Sequence, residues 1–357
     1  MAEDPRCDFL ALALFPQKAI INTLSISQMY QLSKKSQKWQ KVVKEANIKL
    51  DCLEVEFGDD EENLSKKFEI YVNVKCGEQE MLKVCIPNGP DSTYHMESNG
   101  SHIVIDYAKD LNSETAMADQ LSIVGDRLMD MFTFEKRAIT ISPGPNFLKN
   151  IWSPFLRENF RNDVRIRIRN RPNPLPLEHL VFVLQHFHGE ELITGNVEEG
   201  EELAQEIDFE RITIQTTNWL SKKMLKNLEA KRVEIDPIRD SGVRMPLVYI
   251  CLLIQSWTNG EMPDLELFKC RLYWKPADLQ LMRNYLTQIS QYVQQPAGEE
   301  MKRHYLAEIQ ANIRSSDGKF AYILIDSTQI GAGQWFLFRR YEYDTYAPWM
   351  NNNFHIQ

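Results

Sequence analysis

The sequence predicts an α+β protein in three parts: a small helical N-terminal domain, a strand-rich segment with one helix, and a larger domain of irregular βα repeats. Three observations predict it. Apolar residues recur three and four positions apart over residues 14–43, the spacing that gathers side chains on one helix face. From about residue 48 the period shortens to two, as in half-buried strands. From Arg137 onward short apolar runs alternate with amphipathic stretches, the pattern of βα units rather than of a sandwich. The expected boundaries are 1–47, 48–135 and 136–345, with an aromatic tail at 346–357.

In the first part, Pro16 stands at a natural first helical position, where its missing N–H costs nothing, and Ile20 and Leu24 follow on one face. This helix is expected to end near Ser25. Ser27 is expected to cap a second helical region, in which Met29, Leu32, Ser36, Trp39 and Val43 form a stripe and Lys34, Lys35, Lys38 and Lys41 lie off it. The result is a helical hairpin or trio. A domain of about 40 residues rarely buries enough surface by itself, so the stripe implies a partner.

The second part reads as strands at Leu50–Phe57, Phe68–Val74, Met81–Ile86 and Ile103–Tyr107, separated by an acidic turn at Gly58–Asn63 and a Pro/Gly/Asn/Ser-rich loop at Pro87–Ser101. A helix follows, carrying Met117, Leu121, Val124, Leu128 and Met131. In the third part, strands are expected at Ala138–Ile141, Val164–Arg169, Ile212–Gln215, Val233–Asp236, Leu265–Leu272, Phe320–Ile325 and Trp335–Arg340. Helices are expected at Phe147–Phe160, Leu177–Phe187, Trp219–Ala230 and Leu247–Ser256. Strand starts roughly 20 to 50 residues apart suit a curved solenoid of leucine-rich type, but the spacing is irregular and no consensus repeats.

Composition narrows the function. A net charge of −9 disfavours nucleic acid and anionic membranes as partners of the whole molecule. The six cysteines are scattered without C-x-x-C spacing and read as reduced thiols. The run Phe9–Phe15 is too short for a secretory leader and follows Glu3 and Asp4. No apolar stretch approaches the roughly 18 residues of a membrane span. A soluble, cytoplasmic or nuclear protein is expected, with the sequons at Asn63 and Asn99 unglycosylated. No hydrolase or metalloenzyme motif is present. His186 and His188 lack further ligand spacing, and Gly331-Ala332-Gly333 lacks the Lys-Ser/Thr pair of a phosphate loop. The expectation is a non-catalytic protein without metal or cofactor.

The run Leu14-Phe15-Pro16-Gln17 followed by Ile20, Ile21, Leu24, Met29, Leu32, Ser36, Trp39 and Val43 resembles an F-box in order and spacing. It departs from that pattern at Phe15, at Gln17-Lys18 and at Gln28. A second, distant resemblance lies in Ile254-Gln255-Ser256-Trp257-Thr258-Asn259-Gly260 with Pro263-Asp264-Leu265-Glu266-Leu267, and in Ile313-Arg314-Ser315-Ser316-Asp317-Gly318-Lys319-Phe320-Ala321-Tyr322-Ile323. These are similar to the core and the closing element of the type 2 F-box-associated domain of nematode-expanded families. The resemblance implies a substrate receptor of a cullin-type (SCF) ubiquitin ligase. Leu14, Phe15, Pro16, Ile20, Ile21, Leu24, Met29, Leu32, Ser36, Trp39 and Val43 would dock a Skp-class adaptor, and through it a cullin, by helix packing. A scaffold that uses the contact without ubiquitin transfer is the alternative.

For the target, the sequence offers Arg165-Ile166-Arg167-Ile168-Arg169. Strand alternation puts the three arginines on one face and the isoleucines on the other. Guanidinium rows suit bidentate capture of carboxylates or phosphates, which points to an acidic or phosphorylated protein target. The competing reading is a solvated face, or one paired with the chain's own acidic segment Glu198–Glu210.

Overall fold

The computed structural model describes residues 14–59, 68–87, 103–105, 116–142, 153–169, 174–198, 207–215, 230–235, 245–272, 274–289, 307–329 and 333–341. The chain is a mixed α and β protein that divides into two compact units, residues 1–169 and 170–357. The sequence reading places its boundary at 135/136. The units part at 169/170 because the next two strands extend the sheet begun at residue 48.

The first unit begins with three helices, α1 (Leu14–Ile21), α2 (Ile26–Lys35) and α3 (Gln37–Ala46). The trio is therefore found, with one correction to its punctuation. Ser25, not Ser27, caps α2: its hydroxyl accepts from the Gln28 backbone N–H and the Gln28 side chain accepts from the Ser25 N–H. Ser27 is buried in the first turn. The reciprocal pair satisfies two backbone donors that a cap at Ser27 would leave open. Ser36 ends α2 and caps α3, accepting from the Trp39 N–H at 3.3 Å. Asn47, in the left-handed region at φ 53°, stops α3 and turns the chain into the first strand.

The strands of this unit are β1 (Ile48–Asp59), β2 (Phe68–Cys76), β3 (Gln79–Pro87), β4 (Ile103–Ile105), β5 (Phe132–Ile141) and β6 (Val164–Ile168). Their order is β6-β5-β1-β2-β3-β4. β1 runs parallel to β5, and β5 to β6, while the β1–β2 and β2–β3 pairs are antiparallel. Helix α4 (Ala116–Met131) leads straight into β5. Its Met117, Leu121, Val124, Leu128 and Met131 are all buried, as their 4-3-4-3 spacing requires. They meet a sheet face made of Leu53, Val55, Phe57, Ile70, Val72, Val74, Ile139, Ile141, Ile166 and Ile168, each at most 1% exposed. The short helix α5 (Pro154–Asn159), capped by Ser153, seats Phe155 against α4 at Gly125.

In the second unit, strands β7 (Gly189–Thr194), β8 (Phe209–Ile214), β9 (Arg232–Ile235) and β10 (Leu267–Leu272) are parallel neighbours. An antiparallel set of β13 (Gly333–Tyr341), β12 (Phe320–Gln329) and β11 (Ala307–Arg314) continues from β10. Helices α6 (Leu177–His186), α7 (Leu247–Thr258) and α8 (Pro276–Gln288) complete the unit. β7, α8 and β11 are additions to the sequence reading, and β5 starts at Phe132 rather than Ala138. The expected helix at 219–230, all but its last residue Ala230, the acidic turn after Asp59, the loop after Pro87, Gly331-Ala332 and the tail lie outside the described residues.

A Cβ at Gly125 would come within 2.3 to 2.5 Å of three atoms of the Phe155 ring. Overpacking of this kind costs about 1–3 kcal/mol. The Gly125→Ala variant is expected to lose that much stability in urea denaturation, with an unchanged dependence on denaturant.

Candidate functional site

Two surfaces of the first unit and one joint of the second carry the residues singled out by the sequence. In the helical trio, Ile21, Met29 and Val43 are 0–3% exposed and form the interior with Ile26, Tyr30 and Val42. Ile20 is 41% exposed, and Leu24, Leu32 and Trp39 are only partly covered. Seven of the eleven positions thus fall into two groups: Ile21, Met29 and Val43 hold the trio together, and Ile20, Leu24, Leu32 and Trp39 are at least partly exposed. Ser36 belongs to neither, since its hydroxyl is committed to the α3 cap. Leu14, Phe15 and Pro16 form the first turn of α1.

Part of the cover that so small a domain needs comes from its own chain. The Gln40 amide donates to Asp130 of α4 at 2.9 Å, and Lys44 pairs with the same carboxylate, which these contacts hold below its ordinary pKa. The Arg127 guanidinium of α4 lies 5.9 Å from the centre of the Tyr30 ring. Packing against α4 lessens the need for an outside partner to fold the trio. Ile20 stays exposed, and Leu24, Leu32 and Trp39 stay partly exposed.

The second surface is the sheet face opposite α4. Ile166 and Ile168 enter the core at 1% exposure while Arg165 is half-buried and Arg167 and Arg169 are exposed, the alternation read from the sequence. The parallel register sets Arg165 beside Ala138 and Arg167 beside Thr140, and Thr140 beside Glu56. Arg169, one rank further along, reaches back to Glu56 of β1, with Nη2 2.6 Å from Oε1. The carboxylate that answers Arg169 thus comes from β1, two strands away from β6. Of the acidic segment 198–210, offered by the competing reading as a partner, residues 199–206 lie outside the described residues, and Glu210 is bonded to Lys231 at 2.7 Å.

Glu54, one rank along β1, ties three strands together. It pairs with Lys75 of β2 and accepts from the Thr140 hydroxyl of β5 at 2.5 Å. Burial pushes its carboxyl up, but hydrogen bonds from Lys75, Thr140 and Asn73 outweigh this and leave it lowered. Asn73 also donates to Glu56 at 3.3 Å. The face is thus a network of paired charges with the arginine row along its β6 margin.

In the second unit, the two segments of the second resemblance converge. Trp257 is buried, with its ring edge-on to Phe338 at 5.0 Å. Gly260 takes φ +79° to turn the chain after α7, and a Cβ there would lie 2.9 Å from the Ser316 hydroxyl. The Ser316 N–H donates to the Thr258 carbonyl at 2.8 Å. The Pro263 carbonyl accepts from Lys319 at 3.0 Å and from Arg340 at 2.8 Å, and Arg340 also pairs with Glu266. Lys319 and Ser315 hold Asp317 down to about 2. Each polar group here has a partner within the joint, so its work is to fasten the β11–β12 turn to the α7–β10 corner.

Compared with known protein families, curated proteins and solved structures, the chain matches none. Among the described residues no group of three or more His, Cys, Asp or Glu is placed to hold a metal. The His186 ring lies 2.8 Å from the Phe182 carbonyl, and His188 3.3 Å from Asp208. Burial pushes the Cys251 thiol up to about 11 and raises Cys270 well above its ordinary value, the reverse of an activated nucleophile. Among the described residues no helix is long and apolar enough to cross a membrane.

Because the Glu54 carboxyl is lowered in the folded protein, its stabilisation is complete above the ordinary Glu value and is lost as pH falls through that value to the folded one. Urea titrations from about pH 5 to about pH 3 are expected to show a steeper loss of stability for wild type than for Glu54→Gln.

Proposed function

We propose that the protein is the substrate-recognition subunit of an SCF-type cullin ubiquitin ligase, with residues 14–46 as its F-box and the α/β remainder as its target-binding part. The observation that supports this most is the capped helical trio in which Ile20, Leu24, Leu32 and Trp39 stay partly uncovered. Such residues can interleave with the helices of a Skp-class adaptor. Each Leu or Ile so buried contributes roughly 1.5–3 kcal/mol, enough in combination to offset association costs of about 4–15 kcal/mol. In this reading the protein performs no bond chemistry and needs no cofactor. It works in the cytoplasm or nucleus, holding a target beside a cullin.

The one-sided sheets of parallel strands support an irregular, leucine-rich-like arrangement of the target-binding part. Arg165, Arg167 and Arg169 are the proposed target contacts, for an acidic or phosphorylated protein. Of the three, Arg169 must exchange Glu56 for the target's anion.

A scaffold that binds the adaptor without ubiquitin transfer is the second reading. It is favoured by the anchoring of α3 on Asp130, which couples an adaptor contact to the rest of the first unit. Co-purification of a cullin separates the two.

Purified Skp-class adaptor is expected to be retained by the wild-type chain and lost by at least about 100-fold in an Ile20→Asp, Leu24→Asp, Leu32→Asp variant, with circular dichroism unchanged. Retention by the folded variant would overturn the F-box assignment. In affinity capture from cells, Arg165→Ser, Arg167→Ser, Arg169→Ser is expected to deplete acidic or phosphorylated partners while keeping the adaptor. An unaltered partner set would remove the arginine row from target binding.

A further inference from the structure

Strand β11 ends the strand order of the second unit, with β12 on one side and, among the described residues, no strand on the other. The Ser315 N–H donates to the Lys319 carbonyl at 2.9 Å, and this bond sets the phase of the β11–β12 ladder. In an antiparallel ladder only every second residue bonds to the neighbouring strand, so Ile309, Ala311 and Ile313 turn their backbone groups to β12. Gln310, Asn312 and Arg314 turn theirs outward. Residues 307–314 contain neither Lys nor Pro, two residues that commonly block such an edge. A register shift between Ala307 and Ile309 ends the regular part of the strand at its start.

The occupant that fits this edge is written in its own residue order. Laid antiparallel to a second copy of itself about Ala311, β11 sets Gln310 opposite Asn312, Ile309 opposite Ile313 and Glu308 opposite Arg314. Amide meets amide, aliphatic meets aliphatic and acid meets base, each a favourable pairing across strands. The phase agrees, since Gln310 and Asn312 both present outward the backbone groups that such a pair exchanges. Neighbouring alignments lose the match. About Asn312, Glu308 would meet Ser316, and about Gln310, Arg314 would meet Leu306. Ile309, Ala311 and Ile313 are already 1–4% exposed, so the contact gains little apolar burial. Its strength comes from backbone bonds and from the acid–base pair at each end.

We propose that two copies of the chain join through β11, antiparallel and centred on Ala311, so that the sheet runs on across a two-fold axis. The contact is strand addition, with the same residues contributed by both copies. Pairing uses up the edge of each copy, so association through it closes at two. The surface is separate from the helical trio and from the arginines of β6, and it holds whether or not the trio docks an adaptor.

The test is sedimentation velocity on the full chain without adaptor, over an about hundredfold range of concentration. Wild type is expected to pass from monomer to dimer as concentration rises. Glu308→Arg and Arg314→Glu each set like charges against one another at both ends, and each is expected to weaken self-association about tenfold or more. An equal mixture of these two variants is expected to regain the dimer, because every end then joins an acid to a base. Asn312→Pro removes an outward N–H while sparing the bonds to β12 and is expected to leave a monomer. Thermal melting checks that each variant is folded, and the mixture decides the matter even if the proline variant is not. The proposal is overturned if wild type stays monomeric, if either charge variant associates as wild type does, or if the mixture associates no better than its components. A folded Asn312→Pro chain that still dimerises overturns it as well.

Discussion

A strand can give only every second side chain to a single layer of helices, and the rest of this structure follows from that limit. In the first unit β1, β2, β5 and β6 send Leu53, Val55, Phe57, Val72, Val74, Ile139, Ile166 and Ile168 to one face. That leaves Glu54, Glu56, Asn73, Thr140, Arg165 and Arg167 on the other. In the second unit Ile212, Val233, Phe268, Phe336 and Phe338 are the buried set, and Arg211, Arg232, Lys269, Trp335 and Arg339 their complement. Both units therefore combine an apolar layer with a polar display, and both displays are built on hydrogen-bonded strands rather than on loops. The positions of the displayed groups are fixed by register, and only their side-chain torsions are free.

The two displays differ in how their charges are settled. On the first, Glu54 and Glu56 sit among Lys75, Asn73, Thr140 and Arg169, so most of the field is spent internally. On the second, arginines outnumber the carboxylates on the same ranks. A ligand meeting the first must displace existing partners. The joint at Trp257, Pro263, Lys319 and Arg340 supports that second display from the corner, since Arg340 is the chain neighbour of Arg339 and is clamped to Glu266.

Much of this was legible in the sequence because periodicity reports burial directly. The apolar stripe of α4 and the Arg-Ile alternation of β6 stand where the residues place them. The trio was legible as helices, but the Ser25-Gln28 box was not recognised, since Ser25 and Ser27 offer the same side-chain chemistry and only the backbone decides between them. β7 was missed because Gly189-Glu190-Glu191 looks like a turn until Leu192 and Thr194 are seen to be buried. α8 hides behind a polar surface with Leu279, Met282 and Leu286 as its only buried residues, although Pro276 and Asp278 mark its start. The cationic ranks of the second unit were beyond reach: Arg211, Arg232 and Arg339 are far apart in sequence and become neighbours only through strand order.

The bonding of Glu54 to strands on both sides has a further effect on how the first unit attains its alignment. Sliding β1 by a single residue against either neighbour would swing this carboxylate into the apolar layer beneath α4, away from Lys75 and Thr140. An unpaired charge there costs several kcal/mol, more than one shifted pair of aliphatic side chains could recover. The charged side of the sheet thus proofreads the pairing of the strands that build it, rejecting near-matches that hydrophobic contact alone would tolerate.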